Sequence, residues 1–223
     1  AVLSINNNSF TRFVHSVSGS GPHTYINSSA GPATQNISTN VFNNITINNS
    51  GAVTAISSTA LSVNKVISGN IFTGITGGTG PLKLISTSGA SVLADINANN
   101  IGNSLANSIT AGGNITGIEL TNTAGGIAAV SANTVSGLTV TGVAASQVSG
   151  ILSAVPTATI SSNSIHTISS SGNGAAMHGI YIVNGTTVNV NLNTIHALTG
   201  TGTGNVNASG IYCSNGSVVN VYR

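Results

Sequence analysis

Short apolar runs alternate with Ser, Thr, Asn and Gly along the whole chain, and one phrase recurs within them. It is plainest as Ile160-Ser161-Ser162-Asn163-Ser164-Ile165-His166-Thr167-Ile168, which returns as Val190-Asn191-Leu192-Asn193-Thr194-Ile195-His196-Ala197-Leu198. The shared form is a β-branched residue, two spacers, Asn, a spacer, an apolar residue, two spacers and a further apolar residue. Val130 with Asn133, Val135 and Leu138 repeats it, as do Ile67 with Asn70, Phe72 and Ile75, and Ile37 with Asn40, Phe42 and Ile45. The earliest copy is Ile5 with Asn8, Phe10 and Phe13. One copy is irregular: Ile96 precedes Asn99 and Ile101, but Leu105 arrives a residue late. The Asn thus falls at Asn8, Asn40, Asn70, Asn99, Asn133, Asn163 and Asn193, at spacings of 32, 30, 29, 34, 30 and 30. This is a repeat sequence.

A period near 30 suits either helical or β repeats. Helical repeats need long runs of Ala, Leu, Glu, Lys and Arg with 3.6-residue periodicity. Here the apolar runs are short, β-branched and bounded by Gly, Asn, Ser and Thr, which are strand and turn signals. A second apolar group follows in each later repeat: Gly117-Ile118-Glu119-Leu120, Gly150-Ile151-Leu152, Gly179-Ile180-Tyr181-Ile182 and Gly210-Ile211-Tyr212-Cys213. Three short strands per repeat describe one coil of a parallel β-helix, stacked on the next at roughly 4.8 Å. The expectation is an all-β solenoid of about seven coils, forming a single domain over residues 1–223. The irregular coil should carry its surplus in Ala106–Gly113. The Asn at a fixed bend can donate its side-chain amide to one neighbouring coil and accept from the other, which stacked Asp, repelling its neighbours, could not. Apolar residues at −3, +2 and +5 from it should form columns inside.

On these residues the chain resembles the right-handed parallel β-helix repeat family, the pectate-lyase-like superfold, whose coils read Ile-x-x-Asn-x-Ile followed by Gly-Ile-Tyr-like strands. The likeness covers essentially the whole chain and implies the fold. It leaves function open among lyases, glycosidases, phage tailspikes and surface adhesins.

Charge narrows the choice. Charged residues make up 3% of the chain, with four Lys and Arg, two Asp and Glu, and a net charge of +2. No basic patch for nucleic acid can be assembled from so few groups. No apolar run approaches the roughly 18–20 residues of a membrane span. The opening Ala1-Val2-Leu3-Ser4 lacks the form of a signal peptide and reads as mature or excised chain. A surface of uncharged polar side chains resembles secreted fibre and surface proteins, so the expected location is extracellular or at the cell surface. The lone Cys213 offers no disulfide framework and, by parity with Ile211, should be an inward core residue.

Glycan-cleaving β-helices need paired carboxylates, or acidic calcium sites with a basic partner. The only carboxylates are Asp95 and Glu119, on different strands of different coils. Arg12, Lys65, Lys83 and Arg223 are scattered and read as solvated single charges. His166 and His196 share one repeat position and should stack outside, with no third ligand to complete a metal shell. His15, His23 and His178 belong to other positions, and Gly77-Gly78-Thr79-Gly80-Pro81 lacks the Lys of a phosphate loop. No catalytic residue, cofactor or metal site is expected. By alternation from Ile118, Ile151, Ile180 and Ile211, the residues Glu119, Leu152, Tyr181 and Tyr212 should face out. Tyr181 and Tyr212 could then contact a sugar ring or another subunit, or simply stabilise the sheet face. Sequons at Asn27, Asn184 and Asn215 are what this composition produces.

The reading that follows is a non-enzymatic extracellular structural protein: a surface adhesin segment or a filament subunit. The alternative is a carbohydrate-active or carbohydrate-binding β-helix, with its site elsewhere or on the Tyr column. Ice binding is a weaker one, because Thr139-x-Thr141 and Thr157-x-Thr159 do not recur from coil to coil. The chain opens on Ile5-Asn6-Asn7-Asn8 and closes on Asn220-Val221-Tyr222-Arg223, at nearly one phase of the repeat and without a cap. That phase fits a window onto a longer solenoid or self-association end to end, coil upon coil, and the second is the expectation.

Overall fold

Alternation of small polar and branched apolar residues gives each repeat three strands, and each strand finds its partner in the repeats before and after it. The structure, a computed structural model, describes residues 1–89, 92–105, 108–121, 126–142 and 145–223. All described strands are parallel and form three sheets, making a β-solenoid without helices among the described residues. Sheet A holds eight strands, from Val2–Asn6 and Thr34–Ser38 through to Thr187–Asn191 and Val218–Tyr222. Sheet B carries the residues after each Asn, as in Val41–Ile47, Thr134–Val140 and Ser164–Ser170. Sheet C has seven strands, from His23–Ser28 to Asn207–Cys213.

The core columns fall where the repeat places them. Ile37, Ile67, Ile96, Val130 and Ile160 are register partners in turn on sheet A and are fully buried. On sheet B, Phe10, Phe42 and Phe72 stack with ring centroids 4.8 Å apart and planes within 6° of parallel. Ile101, Val135 and Ile165 continue that column. Opposite it, sheet C offers Gly117, Gly150 and Gly179. A Cβ on Gly150 would lie 2.7 Å from Ile165 Cγ2, so glycine lets the two sheets approach there.

Two bends per coil put the backbone in the left-handed region. The first is the residue before each repeat Asn: Asn7, Thr39, Gly69, Ala98, Ala132, Ser162 and Leu192, with φ between 52° and 63°. Six of these seven are not glycine, so six coils carry roughly 1–2 kcal/mol of backbone strain at this bend. The second bend, four residues after the Asn, is held by Arg12, Asn44, Gly74, Gly137, Thr167 and Ala197. In the irregular coil it comes one residue early, at Gly102, where a Cβ would sit 1.7 Å from the Ser136 carbonyl oxygen.

Four expectations differ from the structure. Leu105 is not the delayed core residue, because it is 69% exposed. Ile109 fills that column instead, pairing with Ile75 and Leu138. The expected surplus over Ala106–Gly113 falls partly on residues 106 and 107, outside the described residues. Its described part places the extra chain between Gly102 and Ile109, after which Ile109–Ala111 is already back in register. Lys65 is buried, not a solvated single charge. It shares the inward column of sheet A with Gln35 and Ala94, the parity that Ile67 sets. Cys213 keeps the inward register of Ile182 but is exposed on the last strand of sheet C.

Candidate functional site

The most ordered chemistry in the molecule is the Asn column itself. The backbone N–H and Nδ2 of each Asn both donate to Oδ1 of the Asn in the next coil, at 2.9–3.0 Å from Asn8 through to Asn193. The same Nδ2 groups reach back to carbonyl oxygens of the preceding coil, as Asn163 does to Val130 at 2.9 Å. Each interior Oδ1 therefore accepts two bonds, and each interior side chain touches the coils on both sides. The expected amide-to-amide exchange is present. The sequence did not reveal the backbone N–H as a second donor, which follows from the left-handed residue just before it.

A second polar group lies inside the solenoid, between sheets A and C. Gln35 Nε2 donates to Ser28 Oγ, and Ser58 Oγ donates to Gln35 Oε1. One coil on, Lys65 Nζ donates to the Ser58 and Ser88 carbonyl oxygens, both at 3.1 Å. Burial lowers the Lys65 pKa from 10.5 to about 8. A void of about 10 Å³ beside it, lined by Thr87, Ala94, Leu120 and Ala128, has room for one water.

On the outer face of sheet C, Glu119, Leu152, Tyr181 and Tyr212 are successive register partners, as alternation predicts. Glu119 is nevertheless largely buried. Its carboxylate accepts from Lys83 Nζ at 2.8 Å and Ser86 Oγ at 2.6 Å, so Lys83 is a paired charge and not a single one. Asp95 faces outward on sheet A, between Val66 and Ala129, and the two carboxylates do not meet. Further along sheet C, Tyr181 and Tyr212 lie 5.3 Å apart between ring centroids. His178 joins them, stacked on Tyr212 at 4.7 Å and 11°, with Tyr181 at 4.9 Å. Its Nδ1 is buried and has no hydrogen-bond partner among the described residues, and burial lowers its pKa. A recess of about 360 Å³ adjoins this cluster, lined by Ala176, His178, Asn207, Ala208, Ser209 and Tyr212. Sequence reasoning found the two tyrosines and missed His178, although it stands three residues before Tyr181 on the same strand.

The remaining candidates fall apart geometrically. His166 and His196 stack face to face at 5.0 Å and 2°, which turns ring faces and not nitrogen lone pairs toward a shared point. His166 is bound to Thr167 Oγ1 at 3.0 Å, and its pKa is lowered by burial and then by His196. Among the described residues no group of three His, Cys, Asp or Glu could hold a metal ion. No helix is long and apolar enough to cross a membrane, among the described residues. The Thr-x-Thr motif does not recur, but single hydroxyls do: Thr46, Thr76, Thr110, Thr139, Ser169 and Thr199 are register partners on sheet B. They bond partly to one another, Thr110 to Thr76 at 3.3 Å and Thr139 to Ser169 at 2.9 Å. Compared with known proteins, the chain matches no family model, no curated protein and no solved structure.

Proposed function

We propose that this chain is a non-enzymatic structural solenoid of the cell exterior, a rod segment of a surface adhesin or a filament. The observation that carries the reading is the Asn column, whose six side-chain links tie seven successive coils. A scaffold needs that stiffness and little surface chemistry. Only two carboxylates occur in the sequence, and one is already committed to Lys83 and Ser86. The exterior location is supported by the uncharged Ser, Thr and Asn surface. Incubated with polygalacturonate, alginate or neutral glycans, the purified chain should release no more reducing ends or unsaturated products than a heat-killed control. Release that is lost on Glu119→Gln or Asp95→Asn would sink the structural reading.

The His178–Tyr181–Tyr212 cluster favours a second reading, a weak neutral-glycan contact on sheet C. Tyr212, 42% exposed, offers its ring to the apolar face of a sugar, with half-buried Tyr181 beside it. Tyrosine fluorescence titrated with neutral oligosaccharides should then saturate, and Tyr212→Ala should weaken the response about tenfold or more. An identical titration curve for Tyr212→Ala would exclude the cluster.

A further inference from the structure

Away from the first and last coils, seven large apolar side chains are exposed among the described residues, and five of them occupy one corner of the solenoid. Leu61 is 68% exposed, Val63 52%, Val92 66%, Leu93 40% and Ile127 50%. The backbone makes four of them contiguous. Leu93 N–H donates to the Val63 carbonyl, Ile127 N–H donates to the Val92 carbonyl, and Leu93 pairs directly with Ile127 on sheet A. Val63 and Val92 thus form one ridge at the turn into sheet A, and Leu93 and Ile127 a second ridge beside it. Leu61 extends the patch at the preceding turn, where its carbonyl oxygen lies 3.0 Å from a Cβ position on Gly31. Polar neighbours rim it: Asn64 and Thr34 precede Leu93 in its column of sheet A, and Thr157 and Thr187 follow Ile127.

We propose that this corner is a lateral self-association face, on which a second copy of the chain packs side by side with the first. Two observations select a second copy as the occupant. The first is area. The five side chains expose roughly 500 Å² of apolar surface, at the upper end of what a monomer leaves bare. A two-fold pair would cover both patches, about 1,000 Å² before its polar rim is added, and so reaches the lower range of stable interfaces. The second is period. Both ridges repeat at the strand spacing of roughly 4.8 Å, and another solenoid of this kind carries the same corrugation by construction. Ridges of one copy fit grooves of the other along the axis, as an irregular partner surface would not. The patch itself holds no charged side chain, and with four Lys and Arg against two Asp and Glu in the whole chain, long-range repulsion between copies is small.

The test is sedimentation equilibrium of the intact chain from about 1 to 300 µM, a span that resolves micromolar dissociation constants. The native chain should show a reversible monomer–dimer equilibrium. Val92→Lys and Ile127→Lys should each raise its dissociation constant about tenfold or more. Both residues are at least half exposed, and circular dichroism checks that the variants still fold. Leu105→Lys, exposed away from this corner, should leave it unchanged. A native chain that stays monomeric throughout overturns the proposal. So does an association that survives both lysines, or one abolished only by lysines at Ile5 and Val221, which would place the contact at the coil ends. The pairing depends on the fold and not on the structural role proposed above, so the glycan assay and this one fail separately.

Discussion

Replacing Asn163 by leucine should destabilise the solenoid by about 2–4 kcal/mol. Asn163 is buried, and its Oδ1 is the acceptor for both the backbone N–H and the Nδ2 of Asn133. Leucine leaves the Asn133 backbone N–H unpaired inside the coil, a loss of about 1–3 kcal/mol. It takes one of two acceptors from the Asn133 Nδ2, which keeps the Ile96 carbonyl at 2.9 Å. It also strips the Val130 carbonyl and Asn193 Oδ1 of a donor. The strained Ser162, at φ 57°, would lose part of what holds it in place. Ser164→Ala, on the outer face one residue on, should cost within about 0.5 kcal/mol. Chemical denaturation of the two variants decides the matter: equal, small shifts would mean that the column reflects turn preference alone.

Raising the pH from 8 toward 10 should stabilise the protein, and Lys65→Met should remove that response. The sign follows from the two pKa values. The folded chain holds the Lys65 proton with a pKa of about 8, whereas the usual value is 10.5, so the unfolded chain binds more protons between them. Stability therefore rises with pH across that window, and it is lost again as pH falls through 8. The whole effect is on the order of 3 kcal/mol. Tyr25 and Cys213, whose pKa values burial raises, pull the other way at the alkaline end, and subtracting the Lys65→Met curve cancels them. At neutral pH, Lys65→Met should be more stable than the native chain by about 1–3 kcal/mol, because an apolar side chain of similar length replaces a buried charge. The Ser58 carbonyl keeps a donor in the Ser88 N–H. Urea unfolding at pH 7, 8.5 and 10 measures both effects, and parallel curves for the two proteins would refute the argument.

Most of the fold was legible because a solenoid writes each structural decision seven times over. The Asn spacing gave the coil, and the positions at −3, +2 and +5 gave the core. The irregular coil was the exception. Leu105 has the right chemistry at nearly the right place, but Gly102 turns the chain early and Ile109 recovers the register. Lys65 was legible as well: two residues before inward Ile67, its parity points inside, and only the habit of placing lysine in solvent argued otherwise. The Lys83–Glu119 pair was harder, because it joins strands 36 residues apart at positions that are not register partners. The candidate surfaces depended on side-chain exposure, which a repeat pattern does not encode. Tyr181 and Tyr212 could be named from alternation, whereas His178 became a partner only through ring geometry.

The bonds between coils have one more property, which is direction. The sheet hydrogen bonds and those of the Asn column all point along the axis on which coils stack. A pull along that axis loads the coil interfaces in series, so every interface bears the full force and the weakest sets the strength. A force across the axis is shared by many interfaces at once. The weakest candidate is the Asn99 coil, where the sheet B strand is broken into Asn100–Ile101 and Ile109–Ala111, while its neighbour Thr134–Val140 runs unbroken. The irregular coil, harmless to the fold at rest, is where such a rod would part under tension.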